Sequence, residues 1–512
     1  MFLYLLIFIL SFFIRWISSR NLTVDFDSYG HLYYINQLSN FRSTPWSKIK
    51  IQCWNQEYFH HPFFLHWILS YLPQKFLFKY QRAVNITLDS FFVLLLFIVS
   101  NRIFDSIEIG FLSIMIYTFT PIFFTKTSMG PRLNNFTPRL FTEILFNILS
   151  FVLLGFFSLN SFEYFICLFL LILSILLTSK FGVQVLFFII PIYSLITFDF
   201  YPVLAILLSL IFLLIISRGD VWLQLKRQII HSYEYFIYNK SFSNPNRNKN
   251  KFIFPKLSHF KNINNLKNFL RNYLFYNSHT IVILKFPIFI LLVSLFLLSF
   301  INPNINYNFN NSSLLILSAF LVYIITSSKK FLYLGEAERY LSHICAVIII
   351  ISLETLISND LLIIANIIIL YGFIIWLAEL LLYRKFTKIE NRTKSDSEIE
   401  SLLNKIKDPK IVLSPAYHNF NVYRIMLNTK HFAVFPYHMT EKVRNNFKNM
   451  FEYQYPFLDL KKLNEMIKLT NSSIIIIDND SFPKEILSSV KLPNNWYKKK
   501  LNSNVYTIYI KD

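Results

Sequence analysis

Charge is scarce in this sequence: Asp, Glu, Lys and Arg make up 15% of its 512 residues, where a soluble domain carries about 25%. Glycine is scarcer still, with 8 in the whole chain, which argues against a glycine-rich phosphate loop and against a close-packed channel. The three cysteines, Cys53, Cys167 and Cys345, lie far apart and match no disulfide or metal spacing. Cys167 and Cys345 fall in apolar runs, where a cysteine is an ordinary small buried side chain. What remains is apolar: 54% of residues are hydrophobic and 18% aromatic, with a mean hydropathy of +0.43. These residues gather in nearly uncharged blocks of roughly 15 to 22, the length that crosses a bilayer core of about 30 Å. In lipid a backbone must satisfy its own hydrogen bonds, so such blocks are helices even when rich in Ile, Val and Phe. The chain reads as a polytopic α-helical membrane protein.

The blocks predict about eleven transmembrane helices. The first ends at Arg15-Trp16; it lacks a basic start and a small-residue cleavage site, so it reads as a retained span rather than a signal peptide. A polar first loop, 18–83, follows. Within it Pro62 to Ser70 is too short to span and too apolar for water, which suits an interfacial helix. Further spans are expected near 84–100, 109–125, 140–159, 161–178, 181–198, 201–217, 281–301, 313–327, 342–358 and 361–383. The intervening segment 218–280 carries 11 Lys or Arg and 2 acids, and opens with apolar residues at helical spacing, as an amphipathic helix on a membrane does. The net charge of +21 is concentrated in such loops, which points to anionic head groups or phosphate-bearing substrates rather than nucleic acid. The membrane part is expected over 1–383. Over 384–512 charge density rises, and short apolar runs at Ile411–Leu413, Ser473–Asp478 and Val505–Ile510 read as strands of a soluble C-terminal α/β domain, with a helix at Leu458–Leu469.

Four motifs stand out. Asp25-Phe26-Asp27-Ser28-Tyr29-Gly30-His31 sets two carboxylates, a Tyr and a His just beyond the first span. The pair suits a divalent cation, Mg or Mn, or removal of a proton from an attacking hydroxyl; the plainer reading is an acidic turn, with Asp27 capping a helix that starts near Tyr29. His60-His61-Pro62 with His66 suggests hydrogen bonding at the interface more than metal binding. Lys126 to Arg139 holds Arg132 and Arg139 among Pro and Gly, as bidentate phosphate contacts require, and Glu143 follows one turn later, either as a functional acid or as the partner of Arg139. Gly335-Glu336-Ala337-Glu338-Arg339-Tyr340 opens a span with two acids and an arginine, either to grip a phosphate or metal or as a solvated cap.

Together these motifs resemble the GT-C superfamily of membrane glycosyltransferases, which use lipid-linked sugar donors. Asp25-Phe26-Asp27-Ser28-Tyr29 is similar to the acid-Phe-Asp-x-Tyr form of oligosaccharyltransferase catalytic subunits, and Asp27 to Leu32 resembles bacterial relatives. His61 to Trp67 is similar to the start of the interfacial helix in bacterial members, and Gly335 to Tyr340 resembles a motif of bacterial GT-C-like proteins. The resemblance implies a polyprenyl-phosphate-linked sugar donor, inverting transfer, Asp27 as the catalytic acid residue and Asp25 as its neighbour in metal or acceptor binding. Tyr29, His31, His61, Arg132, Arg139, Glu143, Glu336, Glu338 and Arg339 would line the substrate and phosphate site. The family's second-loop acid has no clean match, and its Trp-Trp-Asp acceptor motif is absent, which argues against peptide N-glycosylation.

Eleven spans put every motif and the C-terminal domain on one membrane face. The resemblance makes that face extracytoplasmic, in a bacterial plasma membrane; the positive-inside rule, applied to its Lys and Arg, makes it cytoplasmic. Rival functions are a transporter or flippase of lipid-linked sugars, or a non-enzymatic scaffold. A transporter usually carries charge at mid-span, and here such charge is nearly absent.

Overall fold

The computed structural model describes residues 2–19, 26–40, 43–55, 58–125, 136–241, 262, 264–266, 277–328, 331, 334–386, 389–415, 422–434, 450, 458–499, 501–502 and 505–511. The first apolar block is α1 (Phe2–Ser19), followed by α2 (Phe26–Asn40), a short hairpin of β1 (Ile49–Lys50) and β2 (Tyr58–Phe59), and the short α3 (Phe64–Leu69). The bundle continues through α4 (Gln74–Phe104), α5 (Ile107–Phe119), α6 (Pro138–Leu153), α7 (Ser161–Leu176), α8 (Lys180–Thr197) and α9 (Tyr201–Ile216). After α10 (Asp220–Ser241) it resumes with α11 (Ser278–Lys285), α12 (Pro287–Ser299), α13 (Asn311–Thr326), α14 (Glu338–Ser342), α15 (Cys345–Ser358) and α16 (Leu362–Phe386).

Each of the eleven apolar blocks contains a helix, although the blocks at 109–125 and 140–159 run past the ends of α5 and α6 and the block at 342–358 crosses the break between α14 and α15. Among the described residues, four helices are long and apolar enough to cross a membrane (α1, α4, α8 and residues 362–381 of α16), or up to six if two bent pairs each count as one span. Those pairs are α9 with α10, bent by 118°, and α11 with α12, bent by 91°. The second bend falls at Phe286–Pro287, where proline lacks the N–H that would continue the helix. The first bend turns α10 sharply off the axis of α9. The other apolar helices have 10–17 residues; at 1.5 Å per residue a 16-residue helix is about 24 Å long.

Among the described residues, two charges of the apolar helices meet in a buried cluster. Arg15 at the end of α1 donates from Nε to Asp89 on α4 (2.6 Å) and from Nη1 to the Thr118 carbonyl of α5 (2.9 Å), while the Tyr117 hydroxyl donates to the other Asp89 oxygen (2.6 Å). Arg15 and Asp89 are fully buried. A charge there survives only when paired, and this pair ties three helices together.

The C-terminal segment forms α17 (Ile389–Lys405), β3 (Ile411–Leu413), α18 (Val422–Asn428), β4 (Phe432–Ala433), α19 (Leu463–Thr470), β5 (Ile474–Asp478), α20 (Lys484–Ser488), β6 (Trp496–Lys499) and β7 (Tyr506–Lys511). The sheet order is β4-β3-β5-β7-β6, with β4, β3 and β5 parallel and β7 antiparallel to both β5 and β6. Every residue of β5 is buried because both faces are covered. Leu413, Ile475 and Ile477 pack with Leu463 and Met466 on one side. On the other, Val412, Ile474 and Ile508 share a core with Ile399 and Leu403, and also with Tyr33, Tyr34, Ile49, Ile51 and Phe63 of the first loop. The first loop also meets the sheet edge: the Ala433 N–H donates to the Gln52 carbonyl and the Trp54 N–H to the Ala433 carbonyl (3.2 and 3.1 Å).

Candidate active site

α2 starts at Phe26, three residues before the expected start at Tyr29, so Asp27 lies in its first turn instead of capping it. A carboxylate in a first helical turn complements the positive end of the helix dipole. Asp25 and Arg132 lie outside the described residues, as does the side chain of Asp27. From Ser28 onward the geometry is defined. His31, one turn beyond Asp27, shares a proton with His66 of α3 across a 2.8 Å Nδ1···Nε2 contact. His66 is wholly buried; burial first, then the neighbouring His31 and His61, push its pKa well below the ordinary histidine value. His61 stacks on Phe59 at 5.5 Å and lies 5.9 Å from the Tyr34 ring. Tyr29 lies under the Arg424 guanidinium, 5.1 Å from its ring centre, and burial raises its pKa against the pull of that cation.

The second and third motifs meet the first here. The Phe136 N–H donates to Ser28 Oγ (3.0 Å), and the Phe136 ring stands edge-on to His31 at 6.0 Å. Thr137 is extended and Pro138 occupies the opening turn of α6, where its missing N–H costs nothing. Arg139 follows, so the helix bearing Asp27 and the helix bearing Arg139 are pinned together next to their charged residues.

Arg139, Glu143, Glu336, Glu338 and Arg339 come together around Phe181 of α8. The Arg339 and Arg139 guanidinium carbons lie 4.4 and 5.6 Å from the Phe181 ring centre. Arg339 Nη2 bonds Glu336 at 2.7 Å, and Ser278 Oγ donates to Glu338. Burial lowers the pKa of Arg339, opposed by Glu336 and lowered further by Arg139, with Glu338 and Glu143 also opposing; a guanidinium remains charged throughout. Gly335 turns the chain with φ +95°, and a Cβ there would come within 2.5 Å of the Phe181 ring. Asn147 secures the arrangement: its amide donates to the Glu143 and Ser342 carbonyls (2.8 and 3.3 Å), and its oxygen accepts the Ala346 N–H (3.0 Å) across the break between α14 and α15.

A solved structure shows a similar architecture. The oligosaccharyltransferase of Archaeoglobus fulgidus, in complex with Zn and sulfate, matches 92% of this chain and 68% of its own length with a TM-score of 0.55 and 11% identity. The chain has the fold of an oligosaccharyltransferase. An archaeal oligosaccharyltransferase from the same organism, in complex with an inhibitory peptide and a dolichol-phosphate, gives a TM-score of 0.49 with 10% identity over 93% of this chain and 69% of that one. No family model and no curated protein matches the sequence.

Within the oligosaccharyltransferase fold, sequence reasoning singled out His31, His61, Arg139, Glu143, Glu336, Glu338 and Arg339 and left out Phe181, Ser278, Asn147 and Arg424. Phe181 looks like one more apolar residue of a span, and only Asn147, a polar side chain in an apolar block, gives a signal in the sequence. Among the described residues no three His, Cys, Asp or Glu side chains are arranged to hold a metal ion; Asp25 and the Asp27 side chain, the pair expected to bind a divalent cation, lie outside them.

Proposed function

We propose that the protein is a membrane glycosyltransferase that moves a sugar from a polyprenyl-phosphate-linked donor to a hydroxyl-bearing acceptor with inversion. The observation that carries this reading is the Ser28–Phe136 hydrogen bond, which pins the first turn of α2, with Asp27, to the entrance of α6, with Arg139, in a chain of oligosaccharyltransferase fold. Asp27 accepts the acceptor's proton as its oxygen attacks the anomeric carbon. The bond from that carbon to the phosphate oxygen breaks, and the polyprenyl phosphate leaves as an anion. Arg139 and Arg339 face that developing charge, preset by Phe181 and Glu336 so that little reorganisation is needed. Glu143 and Glu338 act on Arg339 through their charge and offset part of the positive charge of the two arginines.

A transporter is the weaker reading, because Arg15 and Asp89 are fully buried and paired with each other in contacts between helices. The test incubates purified protein with radiolabelled polyprenyl-phosphate sugars and measures sugar released or transferred. Wild type is expected to turn over and Asp27→Asn to fall by at least about 10²-fold, with expression unchanged; full activity in Asp27→Asn overturns the assignment. We place the active face outside the cytoplasm, as the resemblance to GT-C enzymes implies and against the Lys and Arg count. A topology reporter fused after Asp512 is expected to be active only if extracytoplasmic.

A further inference from the structure

The C-terminal sheet domain does more than cap the membrane part: it grips α2, the helix that carries Asp27 in its first turn. Arg424 of α18 reaches across to place its guanidinium 5.1 Å from the Tyr29 ring centre, two residues beyond Asp27. Both ends of that guanidinium are fixed from α17, by Asp396 at 2.8 Å and by Glu400. Asp396 also accepts from the Tyr506 hydroxyl of β7 (2.7 Å), and Glu400 from the Asn428 amide (3.1 Å), so the cation is set by α17, itself tied to β7 and α18, and not by its own flexible stem. The neighbouring Tyr423 lies flat against Gly30, where a Cβ would come 2.8 Å from its ring. Its hydroxyl bonds that of Tyr34 at 2.6 Å, one turn further along α2.

These contacts fall on one stretch of α2, at Tyr29, Gly30 and Tyr34. An arginine chelated by two carboxylates exceeds what packing alone needs. Its attraction to an aromatic face is directional, so it fixes the rotation of α2 about its axis as well as its distance. Rotation of α2 is what decides where a carboxylate in its first turn points. We infer that Arg424 is a positioning residue for Asp27, and that the C-terminal domain thereby controls the turnover of the site; this rests on the proposed glycosyl transfer. The glycine fits the same logic. Alanine at position 30 would favour the helix by about 1 kcal/mol, yet it would wedge Tyr423 away.

The experiment compares full-length wild type with Arg424→Gln, Arg424→Lys and Gly30→Ala, with Lys498→Gln on the exposed edge strand β6 as control. Two readouts are taken in detergent: hydrogen exchange of peptides covering 26–40, and kcat and KM for a radiolabelled polyprenyl-phosphate sugar. Arg424→Gln and Gly30→Ala are expected to speed exchange in 26–34 and to lower kcat by about ten-fold or more, with donor KM within about two-fold, since the arginines that face the phosphate are untouched. Arg424→Lys keeps a cation over Tyr29 and is expected to restore part of kcat, a rescue that loss of bulk packing would not show. Unchanged kcat and exchange in Arg424→Gln overturn the inference while leaving glycosyl transfer standing. A fall in kcat matched by a rise in KM and general unfolding also overturns it. Should wild type transfer no sugar while Arg424→Gln still loosens 26–34, the transferase reading fails and the grip on α2 holds.

Discussion

Two residues show how narrowly the site is specified. Gly335 combines a left-handed backbone with a Phe181 ring closer than any side chain allows. Gly335→Ala should therefore cost about 1–3 kcal/mol and shift Phe181, the platform shared by both arginines. The expected result is a lower melting temperature together with a raised donor KM; adding Phe181→Leu should return the part due to crowding and not the part due to φ. His66 makes a different demand. Its folded pKa lies below that of the unfolded chain, so on acidification the unfolded chain takes up the proton first. The penalty is absent at neutral pH, begins below about pH 6.5 and grows as pH falls. His60 adds to it, since burial, then Arg227, push its pKa to about 4. Melting temperatures at pH 7 and pH 5 should fall toward acid, and His66→Gln should flatten that slope; an equally steep slope in the variant would remove His66 as the cause. His66 was visible in the sequence as one of a histidine group, but its proton-sharing with His31 was not, because 35 positions separate them.

At the level of elements, hydropathy located the helices well because lipid permits little else, and it failed wherever a helix breaks without a change in polarity. The turn between α11 and α12 lies inside one apolar block and only Pro287 hints at it. The Arg15–Asp89–Tyr117 cluster was missed for the opposite reason: two charges diluted in long apolar helices barely alter a window average, yet they set how α1, α4 and α5 pack. Removing one partner strands the other in a dry interior, so Asp89→Ala should cost about 3–5 kcal/mol. The paired replacement Arg15→Leu with Asp89→Leu should recover most of that. A thermal-stability series in detergent tests this, and a double variant as unstable as the single would show that the pair is needed for more than charge balance.

For the whole molecule, β3, β5 and β7 of the C-terminal sheet could be read from their apolar runs, while the two-residue β4, the exposed and basic β6 and the sheet's attachment to the first loop could not. Nothing local in Tyr33, Ile49, Ile51 or Phe63 says that their partners are Val412, Ile474 and Ile508, some four hundred residues away. The consequence is that 384–512 does not hold its core alone: one face of its sheet is completed by residues of the loop that follows the first span. Deleting 389–512 would bare those side chains and the Gln52–Trp54 edge that pairs with Ala433. At about 1.5–3 kcal/mol for each large apolar side chain returned to water, the loss is on the order of 10 kcal/mol, comparable to the entire stability of a typical domain. The truncated chain should therefore enter the membrane, since its spans are intact, but be cleaved rapidly within 26–63 by added protease, whereas the full chain resists there. A truncated protein as resistant across 26–63 as the full chain would mean that the first loop folds independently, and the shared core would then be a contact of convenience rather than one of dependence.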